Sequence, residues 1–345
     1  MEHEQHEGME EERGAKEMVA DEEGPVEDLA SAKRMESGKT VLIGSAMISF
    51  AILVFAGTLV YTGKGKPIAS QNASAPGSVA GGYSDPLEEA VIPSGGVYIP
   101  VRWGDAGKKL VESGVLDRGK FDSLYADRGG LTDETKKLLE RSDNERIVIT
   151  PENSGQVLNL LWAFGLANNN PILDYGPMRD PSYGGADRFA STGGWTLAKG
   201  NVMDHYSRHA IIELTSDQQK LVEKVAKGIY RPCCGNATYF PDCNHGMAML
   251  GLLELMASQG VSEENMYRAA LKVNSYWFPE TYMTLARYFA NKGVSWDAVD
   301  PKEVLGEEYS SASGYRQILS EVTEAAAKTP AVNTPTRRSS GGCGV

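Results

Sequence analysis

Residues 156–167 read QVLNLLWAFGLA and residues 246–259 read GMAMLGLLELMASQ. Both runs are strongly apolar, and the sequence predicts a helix at each. The first ends at residues 168–171 (NNNP), because the residue before a proline disfavours the helical conformation. The second ends at Gly260, which suits the position that follows a helix C-terminus. These two apolar helices decide the fold class.

Shorter helices are predicted on either side of this pair. They fall at residues 108–112, 120–126, 132–141, 216–227, 279–293 and 313–328. Residues 216–219 resemble a capping box, and Pro279 suits the first turn of a helix. Two short β-like runs, at 97–101 and 146–150, predict strands. The predicted fold class is mainly α: an irregular helical domain with at most a small two-stranded β element.

The chain divides into five predicted segments. Residues 1–39 hold thirteen acidic and five basic residues without an apolar period, which predicts a disordered tail. Residues 40–62 are 23 uncharged residues, and as a helix they would span about 34 Å, enough to cross a hydrocarbon core of about 30 Å. Residues 63–95 predict a flexible linker, rich in Pro, Ala, Ser and Gly. The helical domain follows at 96–328, and residues 329–345 predict a disordered tail with a terminal cysteine.

The basic residues that flank the predicted transmembrane helix indicate its orientation. Three Lys or Arg residues lie at positions 33–39 and two Lys residues at 64–66. Because basic residues favour the cytoplasmic side, we expect a cytoplasmic N-terminus and an extracytoplasmic C-terminal domain. The prediction is a single-pass protein of a prokaryotic cell membrane that contacts membrane lipid through residues 40–62.

The distribution of charge argues against a nucleic-acid partner. The chain has a net charge of −12, of which residues 1–39 account for eight negative charges. The rest is close to neutral, whereas neutralising phosphates requires a basic surface. No P-loop, GxGxxG fingerprint or GxSxG motif occurs in the sequence.

Nearly all of the chemical information lies in residues 230–246, which read YRPCCGNATYFPDCNHG. Cys233, Cys234, Cys243 and His245 lie within thirteen residues. Three thiolates and one imidazole form a complete tetrahedral set of the Cys₃His type. Such soft ligands suit Zn²⁺, Cu(I) or an iron–sulfur centre, so we expect a metal-binding or metal-handling function.

The position of these residues at the start of a helix favours a thiolate. Asp242 or Asn244 is a natural N-cap for the helix that follows. Cys243 and His245 would then lie at the helix N-terminus, where the dipole and free N–H groups stabilise negative charge.

Two other interpretations of the cysteines remain open. A low-pKa cysteine would serve a thiol–disulfide oxidoreductase or a haem-maturation-type thiol protein. A disulfide from Cys233 or Cys234 to Cys243 would instead brace a structural or interaction domain. This disulfide would leave one thiol and His245 without a role. The sequence assigns no catalytic residue.

The cysteine segment resembles two known families. The cluster enters a helix and is followed by residues 260–265 (GVSEEN) and a second helix with four aromatic residues between 267 and 278. This arrangement is similar to the PCYCGC-motif proteins, which are extracytoplasmic, of unassigned function and suspected of binding metal. It is also similar to the membrane-anchored thiol subunit of cytochrome c maturation. The resemblance covers about residues 229–279, with PCC at 232–234 in place of PCYCGC or CxxC, and it implies that the three cysteines carry the function.

Four further residues are secondary candidates for metal ligands. His205, His209 and Glu213 are spaced four residues apart and would share one face of a helix. Two histidines one turn apart can hold a metal, although a solvated or hydrogen-bonded helix face gives the same pattern. Cys343 lies in a Ser- and Gly-rich tail that can carry its thiol to a distant site.

Overall fold

The structure, a computed structural model, describes residues 85–144 and 146–328. These residues contain thirteen α-helices and two strands. The helices are α1 (Pro86–Val91), α2 (Ala106–Glu112), α3 (Arg118–Ala126), α4 (Asp133–Glu140), α5 (Ser154–Ala167), α6 (Pro171–Tyr175), α7 (Ser216–Lys227), α8 (Asn244–Ser258), α9 (Glu263–Trp277), α10 (Pro279–Asn291), α11 (Pro301–Val304), α12 (Glu307–Ser310) and α13 (Ala312–Lys328). The strands are β1 (Val97–Ile99) and β2 (Ile147–Ile149).

The two strands form one antiparallel pair. Val97 lies opposite Ile149 and Ile99 lies opposite Ile147. Ile99, Ile147 and Ile149 are buried whereas Tyr98 is exposed, as the two-residue period of a strand requires. The predicted mainly helical fold with a small two-stranded β element is therefore confirmed.

The predicted linker at 63–95 is corrected at its C-terminal end. Helix α1 lies in it, and the Asp85 side chain caps this helix by accepting a hydrogen bond from the Leu87 amide. Val91 is buried, and the Pro93 carbonyl accepts a hydrogen bond of 2.7 Å from the Tyr276 hydroxyl. Residues 86–95 therefore belong to the folded domain, since tertiary contacts fix them.

Among the residues that the structure describes, no helix combines the length and the apolar character needed to cross a membrane. The predicted acidic tail (1–39), transmembrane helix (40–62) and C-terminal tail (329–345) lie outside the described residues. Most of the linker lies outside them as well.

Helices α5 and α8 pack against each other at the centre of the domain. They meet at two glycines. A Cβ atom on Gly165 would lie 2.2 Å from the Met247 carbonyl oxygen, and one on Gly251 would lie 2.6 Å from the Leu161 carbonyl oxygen. Only glycine allows the two backbones to approach this closely. The contact fixes α8, and with it the cysteine segment at its N-terminus.

Helix α7 spans the predicted residues 216–227, but its N-cap lies one residue before the predicted capping box. The Thr215 hydroxyl accepts a hydrogen bond from the Gln218 amide, and the Gln218 side chain accepts one from the Thr215 amide. Threonine therefore supplies the cap that the sequence analysis placed at Ser216.

A buried carboxyl group links the end of α5 to the middle of α8. Glu254 is fully buried. Its Oε2 accepts a hydrogen bond of 2.7 Å from Asn168 Nδ2, and its Oε1 accepts one of 2.8 Å from Asn170 Nδ2. The same two asparagines accept hydrogen bonds from the Ile212 and Ile172 amides, which holds the loop after α5 in place. Burial raises the pKa of Glu254 well above its usual range.

Candidate metal centre

The cysteine segment is tied to the folded domain on several sides. The Tyr230 amide donates to the Leu305 carbonyl, and the Ala312 amide donates to the Cys234 carbonyl. The Ser191 amide donates to the Asp242 carbonyl. The segment therefore has a fixed conformation, although its prolines and Gly235 keep it out of regular secondary structure.

Cys243 is itself the N-cap of α8, in place of the predicted Asp242 or Asn244. Its Sγ accepts a hydrogen bond of 3.4 Å from the Gly246 amide. The Asp242 carboxylate is unavailable for this role, because it pairs with Arg231 and Asn236. The sulfur thus lies where the helix dipole favours negative charge, as predicted.

Cys233, Cys243 and His245 come together. One ligand atom from each of these three residues lies within 4.8 Å of the other two. The Cys233 and Cys243 sulfurs are 3.6 Å apart, and both are free thiols. These three side chains can hold a metal ion through two sulfurs and one imidazole nitrogen.

The imidazole of His245 is held by aromatic packing. Its ring centroid lies 4.4 Å from that of Phe278 and 6.0 Å from that of Trp277. The residue is buried, and its Nδ1 has no hydrogen-bond partner in the described part of the chain. A buried nitrogen without a partner is unusual in a folded protein, and a bound ion or an ordered water would satisfy it.

The structure does not bring all four predicted ligands into one group. Cys234 instead belongs to a second group, with Asp242 and Cys243. Its Sγ lies 3.8 Å from Asp242 Oδ1. Both carboxylate oxygens of Asp242 are already engaged, Oδ1 by Arg231 at 2.7 Å and Oδ2 by Asn236 at 2.7 Å. The first group is therefore the better metal centre.

A buried arginine lies beside the thiols. The Arg231 side chain is only 1% exposed. Its Nη2 donates to Asp242 and to the Phe240 carbonyl, while Nε and Nη1 have no partner among the described residues. A Cβ atom on Gly246 would lie 2.7 Å from the Arg231 Cζ, so the guanidinium occupies the space that glycine leaves open.

The surroundings of Cys243 favour its thiolate. Hydrogen bonds from the Cys233 and Cys234 thiols hold the pKa of the Cys243 thiol well below its usual range. His245 and the positive charge of Arg231 lower this pKa further, and they outweigh the effect of burial. Hydrogen bonds with Cys234 and with Cys243 raise the pKa of the Cys233 thiol, so the group carries one thiolate that its neighbours stabilise.

The secondary candidates do not form a second centre on a helix. His205 lies in a turn and His209 in an isolated β-bridge, and the distance from His205 Nδ1 to His209 Nε2 is 3.0 Å. These residues do not form the helix that a shared face would require, because His209 pairs with Asn168 in a parallel bridge and Ser207 has a φ of 55°. Glu213 belongs to no metal-binding group of the described residues. Cys343 lies outside the described residues.

Sequence reasoning missed Arg231 and the aromatic support of His245. Arg231 is adjacent to Pro232 in the cysteine segment, but nothing in the sequence indicates that a charged side chain is buried there.

Comparison with protein-family models, curated proteins and solved structures finds no significant match. The geometry of this site therefore provides the evidence for function.

Proposed function

We propose that this protein binds a soft transition-metal ion through Cys233, Cys243 and His245. The observation that carries the proposal is the convergence of two free thiols on a buried imidazole whose Nδ1 has no partner among the described residues. Thiolate and imidazole together select soft or borderline ions over Mg²⁺ and Ca²⁺.

The exposure of the three ligands favours metal handling over a purely structural role. Cys233 is exposed, Cys243 is partly exposed and His245 is buried. Structural zinc sites are closed and four-coordinate, whereas a site that exchanges its ion or binds a further ligand keeps one side open. An exposed thiol gives a donor on another molecule access to the ion.

Substitution of single ligands tests the proposal. In the full chain, purified without chelator under reducing conditions, Cys243→Ser and His245→Ala should each weaken metal binding by at least about 100-fold, since losing even an outer-shell partner weakens binding 10- to 100-fold. Cys234→Ser is the matched comparison: Cys234 donates a hydrogen bond to the Cys243 sulfur without being a ligand, so its loss should weaken binding less than either ligand substitution, by about 10- to 100-fold. The measurement is metal content by mass spectrometry, with the affinity taken from competition with a chromophoric chelator.

Two outcomes of this experiment would contradict the proposed ligand set. If Cys234→Ser removes the metal as fully as Cys243→Ser does, the ion is held by all three sulfurs. If His245→Ala has no effect, the imidazole is not a ligand.

Thiol–disulfide exchange is a second candidate function, which the 3.6 Å separation of Cys233 and Cys243 and the lowered pKa of Cys243 favour. It predicts that the chain as purified carries an oxidised pair and no metal. It also predicts that Cys243 reacts with iodoacetamide faster than an ordinary thiol near pH 7, because the thiolate is the nucleophile.

We further propose that residues 40–62 anchor the chain in a membrane, with the metal centre on the extracytoplasmic side. In a variant whose other three cysteines are alanine, a thiol reagent that cannot cross membranes should label Cys343 in intact cells. The basic residues before residue 40 support this orientation. Labelling that occurs only after lysis would show that the chain has the opposite orientation in the membrane.

A further inference from the structure

The buried guanidinium of Arg231 places a permanent positive charge at the metal centre. A Cβ atom on Gly246 would lie 2.7 Å from the Arg231 Cζ, and the Gly246 amide donates to the Cys243 sulfur, so the charge of Arg231 lies beside this thiolate. Arginine stays protonated in proteins, so this charge does not depend on pH. The partner carboxylate of Asp242 is 19% exposed, against 1% for Arg231. Water therefore screens the negative charge of this pair more than the positive one.

A positive charge in this position opposes divalent ions more strongly than monovalent ions. The Coulomb repulsion between Arg231 and a bound cation is proportional to the charge of that cation, and the low dielectric of the interior strengthens it. The N-terminus of α8, which Cys243 caps, adds positive potential on the same ligand. The thiolates also attract the divalent ion twice as strongly, and the charge of Arg231 opposes part of this advantage.

The number of converging ligands also favours a monovalent ion over a divalent one. With three protein ligands Zn²⁺ needs a water or another molecule as its fourth ligand, whereas two or three ligands, with sulfur preferred, satisfy Cu(I). Three residues converge here. Neither Cys234 nor Asp242 completes the group, and both oxygens of Asp242 are engaged elsewhere.

We propose that the ion held by Cys233, Cys243 and His245 is Cu(I) and that Arg231 is the residue that disfavours Zn²⁺ at this site. This inference rests on the proposed metal-binding function and specifies its ligand. Cu(I) binding displaces the remaining thiol proton of Cys233 and changes no oxidation state, so it requires no redox partner. The ion and its two thiolates together carry a net charge of −1. The positive charge of the guanidinium offsets it.

The test measures two affinities on the full chain, for Cu(I) kept reduced with ascorbate under nitrogen and for Zn²⁺. Each is obtained by competition with a chromophoric chelator. Arg231→Met removes the charge, Arg231→Lys retains it, and Arg268→Met removes an exposed arginine as the control. Arg231→Met should raise the Zn²⁺ affinity relative to the Cu(I) affinity by at least about tenfold, because a single charge acts unequally on the two ions. Arg231→Lys and Arg268→Met should change this ratio by less than threefold.

An unchanged affinity ratio in Arg231→Met would overturn the proposal. If that variant does not fold, as judged by circular dichroism, competition between the two ions for the wild-type chain tests the proposal. One equivalent of Cu(I) should displace bound Zn²⁺, and a hundredfold excess of Zn²⁺ should not displace the bound Cu(I). Retention of Zn²⁺ in the presence of Cu(I) would refute the assignment to Cu(I). If wild-type chain binds neither ion, the proposed metal-binding function itself has failed.

Discussion

Replacing Gly165 with alanine is expected to lower the free energy of unfolding by about 3 kcal/mol, at the upper end of what overpacking a core costs. The added Cβ atom would lie 2.2 Å from the Met247 carbonyl oxygen and 2.8 Å from the Gly251 amide nitrogen. These are backbone atoms of α8, so the two helices must move apart. Urea unfolding followed by circular dichroism measures the change.

Gly155→Ala is the matched control on the same helix. No atom lies within 4 Å of a Cβ built at Gly155. Alanine is a better helix former than glycine by about 1 kcal/mol, so this variant should be neutral or slightly more stable. If both variants destabilise equally, the close contact of α5 and α8 does not hold this domain together.

Glu254→Ala is expected to destabilise the domain by about 3 kcal/mol, because it leaves buried donors without an acceptor and opens a cavity. Asn168 Nδ2 loses its acceptor, and Asn170 Nδ2 keeps only the side chain of Gln219. Glu264→Ala, which removes an exposed carboxylate on α9, is the control and should change stability by less than about 0.5 kcal/mol. Equal effects of the two substitutions would show that the buried network contributes little.

The raised pKa of Glu254 also predicts a pH dependence of stability. The folded state binds the proton of this carboxyl more tightly than the unfolded state does. Its contribution is therefore fully present below the pKa of an unfolded glutamate, about 4.3, and is lost as pH rises through the raised folded pKa. Unfolding free energies measured from pH 4 upwards should fall more steeply in the wild type than in Glu254→Gln.

Apolar runs and β-like runs in the sequence predicted most of the fold, because the same residues form the helices and strands locally. The apolar runs at 156–167 and 246–259 became α5 and α8, and the two β-like runs paired. Helix α1 escaped prediction, since its six residues depend on contacts with α10 and other distant segments rather than on an apolar period. The histidine pattern at 205–213 failed for a related reason: the backbone of His209 bonds to the end of α5, and this tertiary pairing replaces the helix.

The candidate site was predictable only as far as it is local. Cys243 and His245 lie two residues apart around a helix N-terminus, which the sequence shows directly. The separation of neighbouring Cys233 and Cys234 into different groups depends on how the loop folds onto α8. The burial of Arg231 depends on Gly246 and on the acceptors that Asp242 and Phe240 provide. No spacing rule encodes these contacts.

X-ray absorption spectroscopy at the metal edge of the full chain, as purified, identifies the ligands of the bound ion directly. We expect one ion per chain with two sulfur ligands and one imidazole nitrogen. In the His245→Ala variant the outer-shell scattering of the imidazole should disappear. A wild-type spectrum with only oxygen and nitrogen neighbours, or with three sulfurs and no imidazole, would contradict the assignment of Cys233, Cys243 and His245.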